Sequence, residues 1–227
     1  MKARTLALAA LGAAATIAHA TPTSLAPGDT GVPVPAYAST GMTPTVEVLA
    51  NTGVQTASVG STTVSFDEVA VNTSLNPAGV VFAFAVATSN VPTELSAGLA
   101  GFSGFSTAVE SCDPIALANA SVCGTATGSA ARSTGMGDVV TFSGMGTTAV
   151  TLLPVGTVNL SNAYGVFTNA RSFTDPSVTI TDDGQTFVFE GLGPSTGPSS
   201  VPEPGTLALL ALGLAAVAGL RRRRAAR

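Results

Sequence analysis

Two pairs of adjacent carboxylates are the residues of this 227-residue chain whose types and spacing could support catalysis. They are Asp67-Glu68 and Asp182-Asp183, and a pair of carboxyl groups is what most glycoside hydrolases use to cleave their substrate. Adjacent residues of a strand point to opposite faces, however, and Asp182-Asp183-Gly184 is typical of a turn. Carboxylate-only glycoside hydrolysis is therefore the third of three functional hypotheses.

Calcium binding is another use for acidic side chains, because Ca²⁺ is bound through carboxylate and carbonyl oxygens. Asp175, Asp182 and Asp183 are the candidates, provided that they converge at one end of the fold. The chain contains no spaced D-x-D-x-D-G loop, and turn formation explains the Asp182-Asp183 pair. We therefore expect no cofactor and no metal, with these three residues as the calcium alternative.

Cys112 and Cys123 are the only cysteines and have ten residues between them. In an exported chain, two cysteines at this spacing predict one disulfide that closes a short loop. A metal site is the alternative, but two thiolates supply only half of a tetrahedral shell.

Missing residue types exclude several enzyme classes. The chain has a single histidine, His19, and a single lysine, Lys2, both near the N-terminus, and it has no tryptophan. A Ser-His-Asp or Cys-His arrangement needs an imidazole to accept the proton of the nucleophile, and Ser-Lys catalysis needs a lysine. The remainder of the chain contains neither, so we predict a protein that is not an enzyme.

The N-terminus has the pattern of a signal peptide over residues 1–20. Lys2 and Arg4 precede an apolar stretch, and Ala18 and Ala20 form a small-x-small cleavage site for signal peptidase. Cleavage after Ala20 would start the mature chain at Thr21. An uncleaved N-terminal anchor is the alternative interpretation.

The C-terminal segment, residues 202–227, has three parts. Val201-Pro202-Glu203-Pro204 forms a rigid box, because proline fixes φ and resists a helical start. Residues 206–220 are uncharged and rich in Leu and Ala, which favours a membrane helix. Permanently charged arginines follow and act as a stop-transfer signal, at Arg221, Arg222, Arg223 and Arg224.

This arrangement closely resembles the PEP-CTERM sorting tail of Gram-negative bacteria that make extracellular polysaccharide. The resemblance implies recognition by an exosortase, a membrane-embedded cysteine transpeptidase or protease that acts near the Pro-Glu-Pro box. The apolar helix is shorter than the roughly 20 residues that usually cross a bilayer, which suits a transient signal. An ordinary single-span anchor is the alternative.

The region between the two targeting segments is strongly acidic. Residues 29–203 contain all thirteen acidic residues but only two basic ones, Arg132 and Arg171, which gives this stretch a net charge of −11. Such a domain is repelled by nucleic acids and by anionic lipid headgroups. We therefore expect no nucleic-acid partner.

Short apolar runs separated by Gly, Asn, Asp and Pro predict an all-β fold, a single antiparallel β-sandwich over residues 44–190. Residues 79–87 are apolar on both faces and predict a central strand, whereas 186–190 alternate and place Phe187 and Phe189 on one face. Further strands are predicted at 62–66, 139–142, 149–153, 163–167 and 177–180, with a turn at 181–185 and a short helical turn at 115–120. The flanks, 21–43 and 191–201, are predicted to be flexible linkers.

These predictions describe an exported protein that signal peptidase and exosortase process, with transient residence in the inner membrane. By resemblance, the mature form is expected at the cell surface or outside the cell, in a structural or adhesive role linked to exopolysaccharide. A carbohydrate-binding or ice-binding module is the second hypothesis, and a flat exposed threonine or aromatic face would favour it.

Overall fold

A computed structural model describes residues 22–36, 46–73, 76, 79–112, 128–152 and 156–196. Every regular element within these residues is a β-strand, which confirms the all-β prediction. The strands are β1 (Thr23–Ser24), β2 (Val32–Pro33), β3 (Val46–Asn51), β4 (Gln55–Val59), β5 (Thr62–Thr73), β6 (Val80–Thr88), β7 (Leu95–Leu99), β8 (Thr107–Cys112), β9 (Ser129–Arg132), β10 (Val140–Ser143), β11 (Thr147–Leu152), β12 (Gly156–Ser161), β13 (Ala163–Thr168), β14 (Ser172–Thr174), β15 (Ser177–Asp182), β16 (Gln185–Glu190) and β17 (Gly193–Ser195). The same residues contain no helix long and apolar enough to span a membrane.

Nine of the described strands form one antiparallel sheet around β6. One edge of β6 pairs with β5, and its other edge pairs first with β13 and then with β12. Strands β3 and β4 extend the sheet beyond β5, while β8 and β1 extend it beyond β13. Almost all of β6 is buried on both faces, as the apolar run at 79–87 predicts.

Six further strands form a second antiparallel sheet in the order β16-β15-β7-β10-β9-β2. The β15–β16 hairpin turns at Asp183 and Gly184, whose φ angles of 48° and 79° are both positive, as in a type I′ turn. Phe187 and Phe189 are buried, whereas Thr186, Val188 and Glu190 are exposed, so the alternation predicted for this strand is confirmed. Strands β14 and β17 pair separately.

The facing surfaces of the two large sheets share one apolar core. Phe66 of β5 stacks on Phe189 of β16 with ring centroids 5.5 Å apart, and Phe84 of β6 meets Phe142 of β10 edge-on at 5.3 Å. The ring centroid of Tyr164 on β13 lies 5.7 Å from that of Phe84. Aromatic pairs in these geometries add to the free energy gained by burying their area, so the rings fasten one sheet to the other.

Residues 22–36 belong to the fold, although their composition predicts a linker over 21–43. Strand β1 pairs with β8 and β2 pairs with β9, and both Leu25 and Val34 are buried. These two apolar side chains, nine residues apart, pack in the core, and turns and backbone hydrogen bonds to neighbouring strands occupy the residues between them.

The start of the second predicted linker, 191–201, is also folded as far as residue 196. Leu192 is buried, and β17 pairs with β14. A Cβ atom at Gly193 would lie 2.7 Å from Cγ of Pro176 and 2.9 Å from the carbonyl oxygen of Ala100. The glycine here therefore permits close backbone packing, and the linker prediction is wrong for this part. The predicted signal peptide, the helical turn at 115–120 and the C-terminal tail lie outside the described residues.

Truncation of Phe84 tests the shared core. Phe84 is fully buried and contacts the rings of Phe66, Phe142 and Tyr164. Phe84→Ala should lower the unfolding free energy by roughly 3–5 kcal/mol in urea denaturation, because it leaves a cavity between the sheets. The exposed Val188 provides a control, and Val188→Ala should change the free energy by less than about 0.5 kcal/mol. Equal effects of the two substitutions would contradict a core between the sheets.

Candidate functional site

All residues of the predicted targeting sites fall outside the described residues. This applies to Ala18 and Ala20, to the box at Val201, Pro202, Glu203 and Pro204, and to the arginines at 221–224. Cys112 ends β8, but Cys123 also lies outside the described residues, so the disulfide stays a prediction. Its test is thiol alkylation of the native protein, in which both cysteines should react only after reduction.

The three aspartates proposed as calcium ligands do not converge. Asp175 precedes β15, whereas Asp182 ends that strand and Asp183 follows it, so they lie at opposite ends of the strand. Asp183 has a structural role, because its Oδ1 accepts hydrogen bonds from the backbone N–H groups of Thr93 and Glu94 at 2.8 and 2.9 Å. Among the described residues, no group of three or more His, Cys, Asp or Glu side chains could hold a metal ion.

Asp182 instead belongs to a hydrogen-bonded group of polar residues at one end of the core, here named the polar plug. Its buried members are Thr88 on β6, Asn159 on β12 and Asp182 on β15, and the half-buried Asn90, on the loop after β6, connects them. The Asn90 side-chain amide donates to Oδ1 of Asp182 at 3.4 Å, and the Asn159 side-chain amide donates to the backbone carbonyl oxygen of Asn90 at 2.6 Å. Burial raises the pKa of Asp182, the hydrogen bond from Asn90 lowers it, and the nearby Asp183 charge raises it.

The Asp67-Glu68 pair is divided between the two faces of β5, as strand geometry predicts. Glu68 is fully buried, and its Oε2 accepts a hydrogen bond of 2.7 Å from the backbone N–H of Leu192. Burial raises the pKa of Glu68 to about 8; the Leu192 hydrogen bond lowers it and the charge of Asp67 raises it. Burial also raises the pKa of Asp67 to about 6, although a backbone hydrogen bond from Glu68 lowers it. Opposite faces prevent the two carboxyl groups from acting together on one bond.

Glu110 is a fourth buried acid, after Asp67, Glu68 and Asp182, and the sequence pattern does not single it out. It lies on β8 beside Gly165 of β13, where a Cβ atom would come within 3.7 Å of Glu110 Cγ. Burial raises the pKa of Glu110 to about 8. The alternation of a half-buried strand would have predicted a solvent-exposed glutamate here, so no local signal could reveal this burial.

A cleft of about 250 Å³ lies where β4 of the first sheet approaches β16 of the second. The side-chain amide of Gln55 bridges the sheets: it donates to the Glu190 carbonyl oxygen at 2.6 Å and accepts from the Glu190 N–H at 3.0 Å. At this edge of β16, the amide thus makes the two backbone hydrogen bonds that a neighbouring strand would otherwise make. The cleft is lined by Ala50, Asn51, Thr52, Gln55, Phe173, Asp175, Glu190, Gly191 and Leu192.

Glu68 links this cleft to the core. Its backbone N–H donates to Thr52 Oγ1 at 3.1 Å, and its carboxyl group holds Leu192, so both walls of the cleft contact the same residue. Carboxylates, an amide and a hydroxyl at the surface of the cleft can exchange hydrogen bonds with the hydroxyl groups of a polar ligand. The cleft is therefore a candidate binding surface for such a ligand.

The buried glutamates predict an inverted pH dependence of stability. Because folding raises the pKa of Glu68 from 4.5 to about 8, its stabilising contribution is complete below pH 4.5 and is lost as the pH rises towards 8. Stability should therefore fall by roughly 3–5 kcal/mol over this range, and Glu68→Gln should reduce that fall, as measured by denaturation at each pH. Glu190→Gln, at an exposed position of the same cleft, should leave the fall unchanged. A stability that rises with pH in the parent protein would contradict this assignment.

Comparison with known proteins locates one motif. A protein-family model described as the PEP-CTERM protein-sorting motif matches residues 200–224. Searches of curated proteins and of solved structures found no match. The motif covers the Pro-Glu-Pro box, the apolar segment and the four arginines, and thus confirms the resemblance on which the export prediction depends. The chain therefore carries a PEP-CTERM sorting motif at its C-terminus, which indicates an exported protein targeted to an exosortase.

Proposed function

We propose that this protein is a non-enzymatic component of the cell envelope or extracellular matrix, with a structural or adhesive role linked to exopolysaccharide. In this proposal, a two-layer β-sandwich is exported, and an exosortase processes the tail. The observation that carries the proposal is the sorting motif at residues 200–224, which begins only a few residues after β17, the last of the described strands. In this proposal, the motif sorts the folded domain that directly precedes it.

The charge of the exported region supports an extracellular role. Thirteen acidic residues against two basic ones disfavour contact with nucleic acids and with anionic membrane surfaces. Its two arginines also differ in environment: Arg132 is buried among backbone carbonyl groups, whereas Arg171 is exposed. The exposed acidic residues, which include Glu94, Asp138, Asp175 and Glu190, suit a hydrated matrix, where their charge keeps the domain soluble.

The positions of the acids support a role without catalysis. Asp67 and Glu68 point to opposite faces, and the side chain of Asp183 binds the backbone of the loop before β7. Each conspicuous carboxylate pair thus has a structural explanation. The chain also has no histidine after His19 and no lysine after Lys2 to act as a general base.

Mass spectrometry of the protein from its native host tests the proposed processing. We expect a mature chain that begins at Thr21 and is cut near Pro202-Glu203-Pro204. Replacement of the four arginines at 221–224 by serine should leave export intact but prevent normal processing, because these charges stop the short apolar segment in the membrane.

Asp175→Asn provides the control, since it changes one charge in the folded domain far from the sorting motif in sequence. It should be processed at the parental rate. A surface-located protein that retains residues 207–227, or normal processing of the arginine variant, would contradict the proposal.

Carbohydrate binding is a second candidate function, supported by the cleft between β4 and β16. Asp175 and Glu190 place two carboxylates at a cleft that also contains an amide and a hydroxyl, a set that suits sugar hydroxyl groups. Ice binding has less support. It would need surface hydroxyls that are available to bind ice, whereas those of Thr56 and Ser65 are hydrogen-bonded to each other at 3.0 Å.

A binding assay with exopolysaccharide from the native host tests the carbohydrate candidate. Glu190→Gln should weaken binding at least several-fold if the cleft is the site. Asp138→Asn, a substitution outside the cleft lining, should leave it unchanged. Equal binding by both variants would remove the cleft as the binding site.

A further inference from the structure

The outer face of the second sheet, which points away from the core, presents small and hydroxyl side chains in a regular grid. The register of β16, β15, β7, β10 and β9 arranges ten of its residues in two rows that cross these five strands. The first, here named the hydroxyl row, consists of Thr186, Thr181, Ser96, Ser143 and Ser129. The second row consists of Val188, Thr179, Gly98, Thr141 and Ala131. All ten are half-buried or exposed, whereas alternate residues of the same strands are buried in the core.

The hydroxyl groups of this grid are available to a ligand. Neighbouring strands of a sheet lie about 4.8 Å apart, so the hydroxyl row offers five hydroxyls over roughly 19 Å. No hydrogen bond within the described part of the chain engages the side chains of this row, nor those of Thr179 and Thr141. On the first sheet, by contrast, strand hydroxyls bond to each other in the pairs Thr56–Ser65, Ser58–Thr63 and Thr151–Thr157. Each unpaired hydroxyl can donate one hydrogen bond and accept two.

The two rows contain no charged side chain, although residues 29–203 carry a net charge of −11. The acids on the same strands and turns lie only at the borders of the grid: Glu94 and Asp183 follow the hydroxyl row, and Glu190 follows Val188. An acidic polymer would be repelled by these carboxylates and by the net charge of the domain, whereas a neutral one would not. The grid therefore fits a neutral ligand that is rich in hydroxyl groups.

Gly98 lies at the centre of the grid, on β7, between Thr179 and Thr141. A Cβ atom at this glycine would meet Cγ1 of Val139 at 3.8 Å and the carbonyl oxygen of Thr179 at 3.9 Å, which are ordinary van der Waals contacts. Packing within the protein therefore does not require a glycine here. The missing side chain instead leaves space between the two threonines, where a ligand can approach the sheet.

We propose that these two rows form a binding surface for a neutral polysaccharide chain that lies across the strands. Sugar hydroxyl groups exchange hydrogen bonds with the hydroxyl row, and a sugar ring occupies the space over Gly98. The strands hold these hydroxyls in place before the ligand binds, which limits the entropy lost on binding. The surface is distinct from the cleft between β4 and β16. The inference rests on the proposed extracellular role only for the source of the polysaccharide.

A polysaccharide fits this surface better than ice does. Adjacent strands of a sheet are rotated by about 20–25° relative to one another, so a row that crosses five strands is twisted. A polymer with rotatable linkages can follow this twist, whereas a rigid crystal plane contacts only part of the row.

Affinity electrophoresis of the purified full-length protein tests this proposal, in native gels that contain dextran or the neutral or acidic fraction of exopolysaccharide from the native host. At least one of the two neutral polymers should retard the protein, and the acidic fraction should not. Thr181→Val removes one hydroxyl and keeps the shape of the side chain, so it should raise Kd at least several-fold. Gly98→Glu adds bulk and negative charge at the centre and should abolish the retardation. Thr148→Val, at an exposed threonine of β11 in the first sheet, should behave like the parent.

Urea denaturation checks that the variants fold, and Thr181→Val carries the test if Gly98→Glu does not. Passage of the parent unretarded through both neutral polymers would overturn the proposal, as would normal retardation of a folded Gly98→Glu. Weaker binding by Glu190→Gln with parental binding by Thr181→Val would also overturn it, since the cleft would then be the site. Ice-crystal shaping by a parent that no polysaccharide retards would make the surface an ice-binding one instead. Because the assay uses purified protein, its outcome is separate from that of the processing experiment that tests the proposed function.

Discussion

The buried guanidinium group of Arg132 is the interaction on which the arrangement of the folded domain depends. Arg132 ends β9 and is only 4 % exposed, and it donates to oxygen atoms from three separate parts of the chain. Its partners are the carbonyl oxygens of Leu25, Phe102, Phe105 and Gly137 and the hydroxyl of Thr107, at 2.7–3.2 Å. All five N–H donors of the arginine can be satisfied in this way, so its charge is distributed over carbonyl dipoles instead of being paired with a carboxylate.

This constraint explains how a segment rich in proline and glycine becomes part of the fold. Leu25 is held on both sides: its carbonyl oxygen accepts from Arg132 and from the Thr107 hydroxyl, and its N–H donates to the Thr107 carbonyl oxygen. The backbone N–H of Arg132 also donates to the Asp29 carbonyl oxygen. The folded domain therefore begins close to the predicted signal-peptidase site and ends, at β17, close to the sorting motif.

Local patterns in the sequence predict those strands whose two faces differ clearly, or which are apolar throughout. Strands β6 and β16 are of this kind, because the order of their apolar and polar residues indicates which positions are buried. The turn at Asp183-Gly184 is predicted in the same way, because these residue types favour positive φ. Strands β1, β2 and β17 have only two or three residues each, too few for any periodicity. Their place depends on distant partners such as Arg132, which no local pattern reveals.

The same limit applies to the candidate sites. Sequence alone identifies the sorting motif, because recognition there depends on a contiguous segment. It also separates Asp67 from Glu68 by strand alternation, but it cannot show that the face containing Glu68 is closed by Leu192, which lies far along the chain. Asn90 and Asp182 likewise meet only because the chain crosses between the sheets after β6.

Native-state hydrogen exchange in Arg132→Lys tests the central claim most directly, with Arg171→Lys as the matched control at an exposed arginine. Lysine keeps the charge but lacks the planar fork of five donors, so it leaves carbonyl groups unpaired in the interior. We predict that the Leu25 amide, which donates to Thr107, loses its protection in Arg132→Lys and keeps it in Arg171→Lys. Parental protection of the Leu25 amide in Arg132→Lys would contradict the claim that this guanidinium group holds the N-terminal segment in the fold.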